Sequence, residues 1–169
     1  MFSIFHHRSD SEAALRRLLR DYQEPLYWHI RRMVGNHEDA QDALQEAFVR
    51  VYRNLDSLKN ASSERAWIFR IATNEALRLI EQRAPHAETA DIDDHDPPAT
   101  EDADYEALQH ALAAAVNLLP TRQRAVFSMR YYDEMSYEDI ALALDSNVKA
   151  VTANYHTAKE RIKSHLLAL

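Results

Sequence analysis

The 169 residues carry 27 Asp and Glu against 20 Lys and Arg, for a net charge of −7, with no cysteine and a single glycine, Gly35. Without cysteine there is no disulfide framework, thiolate zinc site or thiol redox sensor, and one glycine amid abundant Ala, Leu, Arg and Glu excludes glycine-rich phosphate loops and argues for helices over sheets. No apolar run reaches the roughly 18–20 residues that span a bilayer, and Met1-Phe-Ser-Ile-Phe-His-His-Arg8 is too short and polar for a signal peptide, so a cytoplasmic protein without membrane insertion is expected.

The charge is unevenly spread. Residues 1–83 have a net charge of +1, residues 84–106 of −9 and residues 107–169 of +1. The acidic middle holds three prolines and one large aliphatic residue, Ile92, too little apolar surface to fold alone. It reads as a flexible linker between two small helical domains, 1–83 and 107–169, in an all-α protein.

In the first module, Ser9 with Glu12 resembles a capping box, and Leu15, Leu18, Leu19 and Tyr22 follow at helical spacing. Pro25 suits the first turn of a second helix ending near Val34. Gly35 then stops that helix, and Asn36 caps a third, with Asp39 at its N3 position. Ala40, Ala43, Leu44, Ala47, Phe48, Val51 and Leu55 form the apolar stripe of the third helix, with Asp42, Gln45, Glu46, Arg50 and Arg53 outside it. A polar loop, 56–63, leads into a fourth helix, about Glu64–Arg83. Its apolar side is expected to carry Trp67, Ile68, Ile71, Ala72 and Leu79, and Arg70, Asn74, Arg78 and Gln82 recur every four residues on another face.

The second module opens with a helix near Tyr105–Leu118, a break at Leu119-Pro-Thr121, and a helix at about Arg122–Tyr132. Ser136-Tyr-Glu-Asp139 is a second capping-box-like start. Asp145-Ser-Asn147 connects it tightly to a long helix from Val148, and small Ala141 permits close packing, as in a helix-turn-helix. Such a motif presents the start of its second helix to the major groove. The outward candidates are Lys149, Thr152, Ala153, Asn154, His156 and Lys159, with Val148, Val151 and Tyr155 turned inward.

Each pattern has an ordinary counterpart. Helical hairpins often bind nothing, and the Arg70–Gln82 stripe serves equally as a solvated face. Beside Trp67 and the loop Leu58–Ser63, the same stripe has what is needed to hold unstacked bases and a strand backbone. The Asp42–Gln45–Glu46 face is either solvated or a dock for a basic partner helix. The nine histidines form no His-Glu-x-x-His or Glu-x-x-His pattern, and no nucleophile elbow is present. No metal, cofactor or catalytic residue is therefore expected, and the protein is not expected to be an enzyme.

Four segments in order resemble those of the extracytoplasmic-function (ECF) sigma factors: Asp39-Ala-Gln-Asp-Ala-Leu-Gln-Glu-Ala-Phe48, Ala66-Trp-Ile-Phe-Arg-Ile-Ala-Thr-Asn74, Leu119-Pro-Thr-Arg-Gln-Arg-Ala-Val-Phe127 and Ser136-Tyr-Glu-Asp-Ile-Ala141. The resemblance implies a region-two-like bundle and a region-four-like helix-turn-helix in a transcription-initiation factor. It implies that Asp42, Gln45, Glu46 and Arg50 bind core RNA polymerase. It assigns Lys59, Asn60, Ser62, Ser63, Trp67, Arg70, Asn74 and Arg78 to the melted minus-ten strand. Arg124, Ser136 and Tyr137, with Lys149, Thr152, Ala153, Asn154, His156 and Lys159, would meet minus-thirty-five duplex. It also implies an anti-sigma partner and an acidic linker threading the polymerase cleft.

The departures are local. Asp145 stands where the family has Gly, and Thr152, Asn154 and Thr157 replace basic residues. Weak binding by the free protein, with a shallow salt dependence, is the expectation. Two other readings use the same pattern: a helix-turn-helix regulator that binds DNA without polymerase, for which no heptad dimer seam is present, and a helical interaction protein that sequesters a regulator.

Overall fold

The computed structural model describes residues 2–83 and 103–168, with side chains from Asp10 in the first stretch and from Tyr105 in the second. The described residues form helices joined by short turns and loops, with no strand among them. The order is α1 (Phe2–Val34), α2 (His37–Arg53), α3 (Leu55–Leu58), α4 (Glu64–Arg83), α5 (Ala103–Asn117), α6 (Thr121–Tyr131), α7 (Tyr137–Ala143) and α8 (Val148–Leu167). Most of the stretch read as a linker lies outside the described residues, but its last residues, from Ala103, already belong to α5.

Helix α1 corrects the expectation of two helices. It begins at Phe2 rather than Ser9 and runs 33 residues straight through Pro25, about 50 Å at 1.5 Å per residue. Proline removes one backbone hydrogen bond and costs about 3 kcal/mol inside a helix. Here Leu18, Leu26, Ile30 and Met33 on either side of it are almost wholly buried. Burial of such side chains is worth roughly 1.5–3 kcal/mol each, so packing outweighs the proline.

The boundary to α2 follows the sequence closely. Gly35 has φ 91° and its N–H reaches the Arg31 carbonyl at 3.0 Å. The Asn36 side chain then accepts from the Asp39 N–H at 2.9 Å. Ala40, Ala43, Ala47, Phe48 and Val51 are buried as the stripe requires, and Leu44 and Leu55 pack partly against the same core. Helix α4 spans the expected residues, but its buried arc is rotated: Ala66, Ile68, Phe69, Ala72, Thr73, Glu75 and Ala76 are inside, and Trp67, Ile71 and Leu79 only border the core. The loop before it contains the extra turn α3.

In the second module Ser136 caps α7 by accepting from the Asp139 N–H at 3.0 Å. Asp145 ends that helix at φ 49°, and the Ser146 N–H returns to the Ala141 carbonyl at 2.8 Å. This is a Schellman closure with aspartate in the left-handed place usually given to glycine. Asn147 caps α8 by accepting from the Ala150 N–H at 2.9 Å. A small core of Ala115, Val116, Leu119, Phe127, Ala158 and Ile162 holds α5, α6 and α8 together.

The other face of this module closes on the first. Val126, Met129, Met135 and Ile140 belong to the same buried cluster as Leu18, Ile30, Phe69 and Ala76. Helix α7 lies against α4, and α6 against α1.

Candidate nucleic-acid interface

Helix α4 carries the first candidate surface. Arg70, Asn74, Arg78 and Gln82 are all exposed, as their four-residue spacing requires. The start of α4 is anchored by Glu64, which receives Arg17 Nη1 at 2.9 Å and the Tyr22 hydroxyl at 3.2 Å. The hydrogen-bonded Arg17 guanidinium holds the Glu64 carboxyl below the ordinary carboxylate range, against the opposing effect of burial. Ser63 Oγ caps the helix by accepting from the Ala66 N–H at 3.1 Å. Lys59, Asn60 and Ser62 project from the preceding loop into solvent, and Lys59 sits 3.2 Å from Asp56. Trp67 is half-buried, and its Nε1 donates to Ser57 Oγ at 3.0 Å, which fixes the indole against α3.

The polymerase-facing candidates Asp42, Gln45 and Glu46 are exposed on α2. Together with Arg78 and Leu79 of α4 they line a groove of about 270 Å³. Arg78 thus belongs to both candidate surfaces. A residue that sequence reasoning passed over joins them: Glu75, only 3% exposed, pairs with Arg50 of α2 and accepts from Arg78 Nε at 3.0 Å. Its signal was available, because Glu75 is seven residues after Ile68 and three after Ala72, on the buried arc of α4.

On α8, Lys149, Thr152, Ala153, His156 and Lys159 are exposed and Asn154 is half-buried. Thr152 Oγ1 donates to the Val148 carbonyl at 2.8 Å and Asn154 Nδ2 to the Ala150 carbonyl at 2.9 Å, so both are tied to their own helix. Lys159 Nζ lies 5.1 Å from the Tyr155 ring centre. Val151 is buried and Tyr155 half-buried as expected, but Val148 is exposed because it opens the helix beyond the core. Ser136 serves as the α7 cap, and Tyr137 is half-buried with the Arg130 guanidinium 4.6 Å from its ring centre.

Arg124 is placed differently from the other candidates. Its guanidinium donates to the Leu119 carbonyl at 3.2 Å, at the end of the α5–α6 turn, and to the Met33 carbonyl of α1 at 3.0 Å. Burial pulls its pKa below the usual arginine value. It faces the seam between the modules.

Arg70 and Asn74 also look toward that seam. With Leu77 they line one side of a cavity of about 320 Å³, opposite Arg122, Ala125, Ala143, Leu144 and Asp145. Arg70 Nη2 lies 4.0 Å from the Asp145 carboxylate.

Two packed helical modules, the second built on a helix-turn-helix, define the class of the molecule. Residues 18–85 match the family Sigma-70 region 2, and residues 109–162 match Sigma-70, region 4. The ECF RNA polymerase sigma factor SigW of Bacillus subtilis is 30% identical over 158 residues, covering 86% of this chain and 84% of that protein. The ECF RNA polymerase sigma factor SigE of Mycolicibacterium smegmatis is 29% identical over 155 residues, 88% of this chain; the chain spans only 60% of that relative's length. The sigma factor RpoE of Bartonella quintana, solved in complex with the anti-sigma factor NepR, shares the fold with a TM-score of 0.77 at 19% identity, over 89% of this chain and 95% of that one. The chain belongs to the ECF sigma factors, which are transcription-initiation factors and not enzymes. Among the described residues no helix is long and apolar enough to cross a membrane.

Proposed function

We propose that this protein binds core RNA polymerase in the cytoplasm, directs it to specific promoters and helps to melt the minus-ten region. Residues 1–83 act as the polymerase-docking and minus-ten module, 84–106 as the acidic linker and 107–169 as the minus-thirty-five module. Asp42, Gln45, Glu46 and Arg50 on α2 meet the polymerase. The loop Lys59–Ser63, with Trp67, Arg70, Asn74 and Arg78, holds the unpaired strand: the cations meet phosphates and the indole offers a stacking surface. Helix α8 enters the major groove, with Lys149 and Lys159 on phosphates and Asn154 and His156 nearest to base edges. An anti-sigma factor is the expected inhibitor, in keeping with the complex of the structural relative.

The observation that carries this reading is the exposed Arg70–Asn74–Arg78 stripe, set beside a pinned tryptophan and a polar loop. Run-off transcription with purified bacterial core polymerase, on promoter DNA from upstream of the protein's own gene, tests it. A defined transcript is expected. It should be lost in an Asn74→Ala/Arg78→Ala variant, and a Gln45→Ala/Glu46→Ala variant should lose co-elution with core polymerase. Absence of both transcript and co-elution for the unaltered protein overturns the proposal.

A further inference from the structure

Helices α2 and α4 share a buried carboxylate to which the proposed function gives no part. Glu75 lies on the buried arc of α4 and is 3% exposed. Arg50 of α2 pairs with it through Nε. From one turn further along α4, Arg78 Nε donates to Glu75 Oε2 at 3.0 Å, and Arg78 Nη2 lies 3.0 Å from the same oxygen. The two arginine side chains are themselves half-exposed, at 50% and 46%. One enclosed anion therefore holds two cations that both reach the surface.

We propose that Glu75 is a positioning residue: its carboxylate fixes the guanidinium groups of Arg50 and Arg78, and so ties polymerase docking to strand capture without touching either partner. This rests on the assignment of Arg50 to the polymerase and Arg78 to the strand made above.

A carboxylate taken out of water needs paired charge around it, so the arginines are held to Glu75 more firmly than a solvated ion pair would hold them. The planar guanidinium fork carries several N–H donors. Arg50 uses Nε on Glu75, and Arg78 uses Nε and Nη2, which leaves donors on both forks for an acceptor outside. A long side chain ordinarily loses its rotamer freedom when a partner binds it. Here folding has already removed that freedom.

Arg78 also needs restraint. With Leu79 it lines the α4 side of the groove whose α2 side carries Asp42, Gln45 and Glu46. A guanidinium free to swing is drawn toward the Asp42 and Glu46 carboxylates, and there it masks the acids assigned to the polymerase. Pinned on Glu75, it stays in line with Arg70 and Asn74. The packing of the two helices has other supports: Ala43 and Ala47 of α2 share a core with Ala72 and Ala76 of α4, and Arg83 pairs with Asp39. Removing the charge of Glu75 is therefore felt by the two arginines while the helices stay together.

The test uses the full-length protein and Glu75→Gln, which keeps the shape and removes the charge. Without polymerase, NMR of isotope-labelled protein reads the arginine Nε–H signals, with Arg50→Lys and Arg78→Lys to assign them. Both signals should persist at neutral pH in the native protein and be lost to solvent exchange in Glu75→Gln, at unchanged helicity by circular dichroism. Run-off transcription, titrated with protein against fixed core polymerase, separates the two surfaces: the half-saturating concentration reads docking, and the plateau reads strand capture. Glu75→Gln should raise the first and lower the second, each roughly threefold to tenfold. Added to Arg50→Ala, it should leave the half-saturating concentration where Arg50→Ala alone puts it. If Glu75→Gln loses helicity, Glu75→Met, which fills the same space with no buried polar group, decides. Arginine signals that survive the loss of the carboxylate overturn the proposal, as does additive weakening in the Arg50→Ala double variant. A shift in half-saturation with no change in plateau overturns the tie to strand capture. No transcript from the unaltered protein overturns the proposed function and the tie with it, while the arginine signals still decide whether Glu75 fixes the two side chains.

Discussion

Glu64 and Glu75 are both acidic residues of α4, one partly exposed and one buried, and their surroundings set different consequences. Glu64 is a partly exposed carboxylate held ionised by Arg17. Its folded pKa lies below its unfolded value, so its contribution is present above the ordinary carboxylate range and disappears as pH falls through the folded pKa. Glu64→Gln should therefore lower the melting temperature at neutral pH. Because the pair is partly solvated and worth at most about 1 kcal/mol, the loss should be no more than about 2–4 °C. The difference from the native protein should close in melts taken at progressively lower pH. Glu75 is almost wholly enclosed and bonded to arginines from two helices. Glu75→Ala removes charge-assisted bonds, and urea unfolding should show a loss of about 1.5–3 kcal/mol.

Two helices carry residues that oppose their own local geometry. Pro25 in α1 leaves the Asp21 carbonyl without its helical donor. Pro25→Ala restores that donor and should stabilise the protein by up to about 3 kcal/mol, read as a higher urea midpoint. An unchanged or lower midpoint would mean that the ring's packing matters more than the missing bond. Asp145 ends α7 in left-handed backbone. Aspartate tolerates that region better than most residues, so Asp145→Gly should gain no more than about 1 kcal/mol. Its 4.0 Å contact with Arg70 involves an exposed carboxylate and offers little to lose. The turn itself was legible from Asp145-Ser-Asn147, because the capping side chains act within three residues of the backbone they satisfy. The continuity of α1 was not legible, because proline is a common helix-starting signal and its neutralisation depends on distant packing partners.

Across the whole molecule, negative charge is concentrated between the two modules. The modules have a net charge of +1 each and the intervening residues −9. Helix α8 offers Lys149, Lys159, Arg161 and Lys163 as exposed cations. With about two to four phosphate contacts, the isolated protein should bind duplex promoter DNA weakly, and log K against log salt should have a slope of only about −2 to −4. Fluorescence anisotropy across a salt series measures this. A slope near −8 would place additional cations on the DNA and would enlarge the proposed interface beyond α8.

Helical class, the division into two modules, the caps at Asn36 and Ser136, and the exposed faces of α2 and α4 were determined by the sequence itself. Each depends on short-range periodicity or on side chains that bond to neighbouring backbone. The individual candidates Asp42, Gln45, Glu46, Arg70 and Asn74 stand in solvent because helical spacing places them away from the apolar stripes. What only the tertiary structure decided involves residues far apart in the chain. Glu75 joins α2 to α4, and Arg124 turns into the seam instead of outward. Asp133 meets Arg32 across 101 residues. Local pattern carries no information about which charged side chain ends beside which. That pairing is fixed when apolar faces from both modules merge into one core and the cations nearest the seam must find an acceptor as water leaves it.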